Sequence, residues 1–196
     1  MRRYLLLSTL MLLYFSNSFG QNLNPNMSIL DMPEYQYNYY SKIRKKLLKN
    51  NYENTVFQLV VLPSFQPEYI LRIVKSDNKY YGIITKADEN IWYSKNFEIL
   101  DSNTYISLMK SEDIELLSKS IEQILSKTQY SETTNYATDG IRYILSNNSK
   151  SGTFRTGDNF MYFYCIRILE NLITKIINDE EAFLNEEEIK ELKSKI

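Results

Sequence analysis

From Thr55 to Leu62 β-branched and aromatic residues dominate, Pro63 to Pro67 interrupts them, and Glu68 to Val74 resumes the same character. That pattern predicts two strands joined by a short turn. Ser76, Asp77, Asn78 and Lys79 make a polar turn before a third strand over Tyr80 to Thr85, and Asp77-Asn78 suits the positive φ angles of a tight hairpin. The three form a meander. In the first strand Phe57, Leu59 and Val61 fall on one side and Val56, Val60 and Leu62 on the other, so cover is expected on both faces. Phe97 to Leu108 predicts a further short strand, interrupted by the polar run Asp101 to Thr104.

Helical spacing takes over elsewhere. Ser111 to Lys127 carries Ile114, Leu117, Ile121, Ile124 and Leu125 on one face, with Ser111 as expected N-cap and Glu112 and Asp113 at the positive end of the dipole. Asp139-Gly140 opens a strand through Leu145, Asn147 to Gly152 turns the chain, and Thr153 to Thr156 returns as a second hairpin. Asp158, as N-cap after Gly157, begins a long helix to about Asn178 whose apolar residues, from Phe160 to Ile177, cover more than one stripe, as in a central buried helix. Glu186 to Lys195 is a charged terminal helix with like and unlike charges one turn apart, the pattern of a solvated face. Glu34 to Asn50 is a weakly amphipathic helix, with Ile43, Leu47 and Leu48 against a lysine-rich surround.

The expected fold class is α+β: a mostly antiparallel sheet, built from a strand meander and a later hairpin, packed by the 111–127 and 158–178 helices. The expected division is a signal peptide over 1–20, a flexible leader and the weak helix over 21–54, and a single α+β domain over 55–196. Arg2 and Arg3, the apolar run Tyr4 to Phe15, and the small residues Ser18 and Gly20 before Gln21 have the three-part layout of a secretory signal. As a helix that apolar run reaches about 18 Å, short of the roughly 30 Å of bilayer hydrocarbon. The expectation is export to the periplasm or the extracellular space, with no stable membrane anchor once the signal is removed.

Composition narrows the chemistry. The formal net charge is −1, and it becomes more negative once Arg2 and Arg3 are gone, which argues against nucleic acid as a partner. The single cysteine, Cys165, cannot form an intramolecular disulfide and reads as a buried apolar residue. Histidine is absent, which removes the usual general base and the His-based zinc sites and nucleophile pairs. Five glycines are too scattered for a P-loop or a dinucleotide fingerprint. No catalytic, cofactor-binding or metal-binding residue is assigned, and no cofactor is expected. The acid pairs Asp88-Glu89, Glu112-Asp113, Asp179 to Glu181 and Glu186 to Glu188 read as turn and helix-end charges.

Other features admit two readings. Lys42 to Lys49 reads as a solvated helix face, with contact to anionic lipid or an acidic partner as the alternative. Tyr35, Tyr37, Tyr39 and Tyr40 serve either as packing material or as a contact surface for protein or carbohydrate. Trp92, in Ile91-Trp92-Tyr93, is a candidate exposed anchor, against burial over the sheet edge. Asp139, Arg142 and Arg155 are placed to meet on the second hairpin, as a structural cluster before a catalytic one.

The order of Glu68-Tyr69-Ile70-Leu71-Arg72-Ile73, Tyr80-Tyr81, Asn90-Ile91-Trp92-Tyr93, Asp139-Gly140 with Tyr143, then Gly152 to Thr156 and a long helix, resembles an uncharacterised family of small exported bacterial α+β proteins. The resemblance spans about Val56 to Ile177. It implies an α+β fold and a cell-envelope setting and carries no catalytic residues over. Three functions follow as expectations. The first is a non-enzymatic binding protein of the envelope, with a protein or glycan as partner. The second is a carboxylate-dependent glycan hydrolase using Asp139 with Asp88 or Glu89, and the third a structural accessory with an apolar patch around Trp92 or Tyr35 to Tyr40.

Overall fold

The structure, a computed structural model, describes residues 24–25, 34–49, 54–127, 140–156 and 163–196. In chain order these form β1 (Asn24–Pro25), α1 (Glu34–Leu47), β2 (Thr55–Pro63), β3 (Tyr69–Ser76), β4 (Lys79–Ala87), β5 (Ser102–Met109), α2 (Ser111–Ser126), β6 (Ile141–Asn147), β7 (Ser151–Arg155), α3 (Phe163–Ile177) and α4 (Glu186–Lys195). The strands make one antiparallel sheet in the order β1-β7-β6-β2-β3-β4-β5, with helices packed on it, so the fold is α+β. The expected signal segment, the Asp139 position and the start of the long helix at Gly157-Asp158 lie outside the described residues.

The meander forms as predicted, β2 to β3 to β4. Asp77 and Asn78 turn the second hairpin corner with φ of 49° and 62°, the left-handed pair that matches strand twist. Alternation then sorts the sheet's two faces. Phe57, Leu59, Val61, Leu71, Ile73 and Ile84 face α2 and α3, while Val60, Leu62, Ile70 and Ala87 face α1. Val56 breaks the expected alternation. The register shifts between Thr55 and Phe57, and this bulge swings Val56 to the α2–α3 face, where it packs with the larger cluster.

Three further expectations are corrected by how the elements meet. Phe97–Ile99 is a short 3₁₀ turn, and the strand begins at Ser102, inside the polar run expected to interrupt it. As an edge strand β5 keeps Ser102, Asn103 and Thr104 in solvent, so polarity there marks an edge and not a break. Ser111 is the first helical residue, and the N-cap is Lys110 without a side-chain cap, because β5 runs to Met109 and leaves one residue for the reversal. The turn of the later hairpin is shorter than Asn147 to Gly152, since Asn147 Oδ1 accepts from the amides of Ser149 and Lys150 and lets β7 start at Ser151.

α3 is the central helix on its face, with Cys165, Ile166, Ile168 and Leu169 fully buried. Burial pushes the Cys165 thiol up to about 12, so it stays protonated and behaves as an apolar residue. α4 docks more firmly than its charge suggests. Asn185 and Glu188 form a reciprocal capping box, Glu188 also accepts from Asn171 Nδ2 at 3.0 Å, and Leu192 is buried. Asp113, on the inner side of α2, accepts from the Leu184 amide at 2.8 Å and pins the chain that leads into α4.

Candidate functional site

α1 is held on the sheet by more than its two buried residues, Ile43 and Leu47. Its C-terminal carbonyl at Leu47 accepts from the buried Arg72 Nη2 at 3.0 Å, which places a cation at the negative end of the helix dipole. Lys46 donates to the carbonyls of Glu98 and Leu100, and Lys42 and Lys46 both lie over the Phe97 ring. Part of the lysine cluster therefore docks the helix instead of facing only solvent. With the helix fixed, its 3.6-residue period sets Tyr35 above Tyr39 and Gln36 above Tyr40 along one side.

The opposing wall comes from the chain after β4. Ile91 is an apolar anchor buried in the α1-side cluster, and Trp92 and Tyr93 follow it outward. Asn90 Nδ2 donates to the carbonyls of Gln66 at 2.8 Å and Pro63 at 3.4 Å, while its Oδ1 accepts from the Tyr93 amide at 3.2 Å. One side chain thus stitches the 63–66 loop to the Trp92 turn.

Glu68 joins the two walls. It is fully buried; Oε1 accepts from the Tyr39 hydroxyl at 2.8 Å and Oε2 from the Ile91 amide at 2.7 Å. Burial raises the Tyr39 phenol far above its ordinary range, and the Glu68 carboxylate raises it further, so Tyr39 remains a donor. The floor is the sheet. Leu62, Arg142 and Arg155 are successive cross-strand partners on β2, β6 and β7 and form one row on the α1 face. Arg142 Nη1 donates to the Tyr40 hydroxyl, tying floor to helix. Gly140, at φ 114°, closes the far end. A Cβ there would sit 2.7 Å from Thr156 Oγ1, and its carbonyl accepts from both Ser64 N and Ser64 Oγ.

These groups enclose a cleft of about 350 Å³ lined by Tyr35, Tyr39, Tyr40, Trp92, Arg142 and Arg155, among others. Trp92 meets Tyr39 edge-on at 4.7 Å and 74°, and Tyr35 at 6.1 Å and 87°. Its indole stays 43% exposed. At the rim Phe65 and Tyr93 stack at 6.3 Å and 5°. Flat ring faces, hydroxyls, an amide and two guanidinium groups around a concave space are equipped to hold a ligand by stacking and hydrogen bonding.

Several sequence candidates are thereby placed. Tyr35, Tyr39, Tyr40, Trp92, Arg142 and Arg155 come together, whereas Tyr37 is not among the cleft residues. Asp88 and Glu89 are exposed and line a neighbouring depression with Asp101, where Asp88 accepts from Asn103 Nδ2. Asp139 is outside the described residues. Sequence reasoning misses Glu68 and Asn90, because a lone acid before a strand and an Asn in a turn carry no signal until their distant partners are known. Among the described residues no group of His, Cys, Asp and Glu could hold a metal ion, and no helix is long and apolar enough to cross a membrane.

Burial raises the Glu68 carboxyl above its ordinary 4.5, and the bonds from Ile91 and Tyr39 lower it only in part. The folded state therefore keeps this proton to higher pH than the unfolded chain does. The stability it contributes is complete below the unfolded pKa and is lost as pH rises through the folded one. Urea unfolding of the wild type and Glu68→Gln, from about pH 4 to about pH 8, is expected to show the wild type losing stability relative to the variant as pH rises. Parallel curves would contradict the raised pKa.

No family model, no curated protein and no solved structure matches the chain.

Proposed function

We propose that this is an exported binding protein of the bacterial envelope whose α1–Trp92 cleft holds a small glycan. The observation that carries the reading is Trp92, 43% exposed and held in T-shaped contact with Tyr35 and Tyr39 within a cleft of about 350 Å³. That volume is near the lower end of the roughly 300–1,000 Å³ of small-molecule sites, which suits one or a few rings better than a protein segment. An indole face attracts the polarised C–H side of a sugar ring through its quadrupole, and the surrounding hydroxyls, Gln36 and the arginines answer the ring's polar edge. Export is supported by Arg2-Arg3, the Tyr4 to Phe15 run and the Ser18–Gly20 spacing.

Trp92 is the sole tryptophan, so its fluorescence reports the cleft directly. Titration with a panel of envelope oligosaccharides is expected to quench or shift that emission. Trp92→Ala, followed by calorimetry, is expected to weaken binding by about tenfold to thirtyfold, as for an anchor at the centre of a contact. Absence of any sugar response would remove the reading. A second reading, a polypeptide partner, is favoured by the stacked Phe65–Tyr93 pair outside the cleft's floor, 72% and 58% exposed. It predicts that Phe65→Ala weakens binding more than Trp92→Ala does.

A further inference from the structure

We infer that β5 is a dimerisation edge, on which a second copy of this chain lays its own β5 antiparallel, joining two sheets into one about a two-fold axis. The inference stands apart from the sugar reading, since no β5 residue lines the cleft. β5 pairs with β4 along all eight of its residues, Ser102 to Met109, and ends the sheet. Among the described residues no strand lies beyond it. An edge of this kind offers a row of backbone N–H and C=O groups to any strand that approaches.

Edges that stay single are shortened, or carry Pro, Lys or a bulge. The sheet's other edge has that protection, because β1 is two residues long and contains Pro25. β5 has none of these devices. Ser-Asn-Thr-Tyr-Ile-Ser-Leu-Met holds no charge and no proline, and its register to β4 is unbroken. Ile106 and Leu108 are 61% and 57% exposed, beside Ile83 and Tyr81 of β4 on the sheet face that carries α1. A strand added here satisfies the backbone row and covers both side chains.

The chemistry of the strand singles out a copy of itself. In a two-fold antiparallel pair the contacts are reciprocal, and side chains that meet lie on the same face. An axis at Ile106 sets that residue against its own copy and Leu108 against Thr104, so apolar groups gather at the centre. The exposed charges that flank the strand, Asp101 before it and Lys110 after it, then complement each other. Reversal brings Lys110 of one copy opposite Ser102 of the other, next to Asp101, whereas a parallel pair would set like charge beside like. β6 and β7, which floor the cleft, lie toward the far end of the sheet, so both clefts stay open in the dimer.

Sedimentation velocity of the purified protein, from micromolar to several hundred micromolar, is expected to show a reversible monomer–dimer equilibrium, with β5 amide exchange slowing as dimer forms. Ile106→Lys sets two like charges face to face at the axis. It is expected to weaken the dimer by about tenfold or more, with native far-UV circular dichroism because the replaced side chain is exposed. Ile106→Cys is expected to form an intermolecular disulfide on mild oxidation, since opposed strand residues lie about 4.5–5.5 Å apart, within disulfide reach. Leu108→Cys is expected to cross-link far more slowly, its own copy lying roughly 13 Å away along the strand. Cys165 is fully buried and leaves this readout clean. A monomer over the whole range overturns the inference. So does a dimer that Ile106→Lys leaves unchanged, or one that cross-links equally through both positions, since its contact lies on another surface. Protection of β5 amides that is the same at every concentration overturns it in favour of a cover from elsewhere in this chain.

Discussion

Glu68→Ala is expected to lower the unfolding free energy by about 2–5 kcal/mol, since one buried and one half-buried donor lose their acceptor, at a cost of roughly 1–3 kcal/mol for a fully buried one and less for the other. The donors are the Tyr39 hydroxyl at 2.8 Å and the Ile91 amide at 2.7 Å, and they belong to opposite walls of the cleft. A loss of about 3 kcal/mol lowers the thermal midpoint by roughly 6–12 °C in a domain of this size. The functional consequence comes first on heating. With Glu68 gone, α1 and the Trp92 turn are no longer joined through one side chain, so Trp92 emission should shift red below the global transition, while far-UV circular dichroism stays native. Coincident transitions by both probes, or an unchanged midpoint, would show that Glu68 does not couple the walls.

Phe154→Ala is expected to cost about 3–5 kcal/mol, the range for deleting a buried aromatic ring. Phe154 is fully buried and stacks on Tyr143 at 4.9 Å and 12°, and Tyr143 in turn donates to Glu170 Oε1 on α3 at 2.6 Å. Removing the ring leaves a void between the β6–β7 hairpin and α3. Phe154 directly precedes Arg155 and pairs with Tyr143, which directly follows Arg142, so the hairpin that presents both arginines loosens with it. Urea denaturation should show the lost stability, and hydrogen exchange should quicken first at the β7 amides. A destabilisation under about 1 kcal/mol would mean that the surrounding side chains collapse into the gap.

The two substitutions act on opposite faces of one sheet, which shows how the site is built. Its aromatic wall hangs on a buried carboxylate. Its basic floor depends on a core whose residues point the other way. Cross-strand alternation puts Arg142 and Arg155 into the cleft because it puts Tyr143 and Phe154 into the core. A change on either face is therefore felt at the cleft without touching a ligand.

Much of the fold is legible in the amino-acid order. The β-branched runs at Thr55 to Leu62 and Glu68 to Val74, the Asp77-Asn78 turn and the 3.6-residue spacing of Ile114, Leu117, Ile121 and Leu125 are local signals, set by backbone sterics and by one buried face. Where local signals are weak or mislead, long-range placement decides. The edge position of β5 allows a polar strand, the bulge at Val56 moves a side chain across the sheet, and the arrival of β5 at Met109 leaves Ser111 inside the helix.

The same division runs through the candidate site. Trp92, the tyrosines of α1 and the two arginines can be named from residue type alone, because large amphipathic rings and guanidinium groups are what contact surfaces use. Their meeting cannot be read. Tyr39 and Glu68 are 29 residues apart and Tyr40 and Arg142 are 102 apart, and no periodicity links them. Amino-acid order alone determined the elements, the α+β class and the cast of aromatic and basic candidates, since these follow from interactions within a few residues. Only the tertiary structure decided that α1 packs on the sheet face that carries Val60, Ile70, Ala87 and Ile144, that Glu68 is shared between two walls, and that Arg142 and Arg155 lie side by side. Those outcomes depend on which distant surfaces bury each other, and that balance is struck by the whole chain at once.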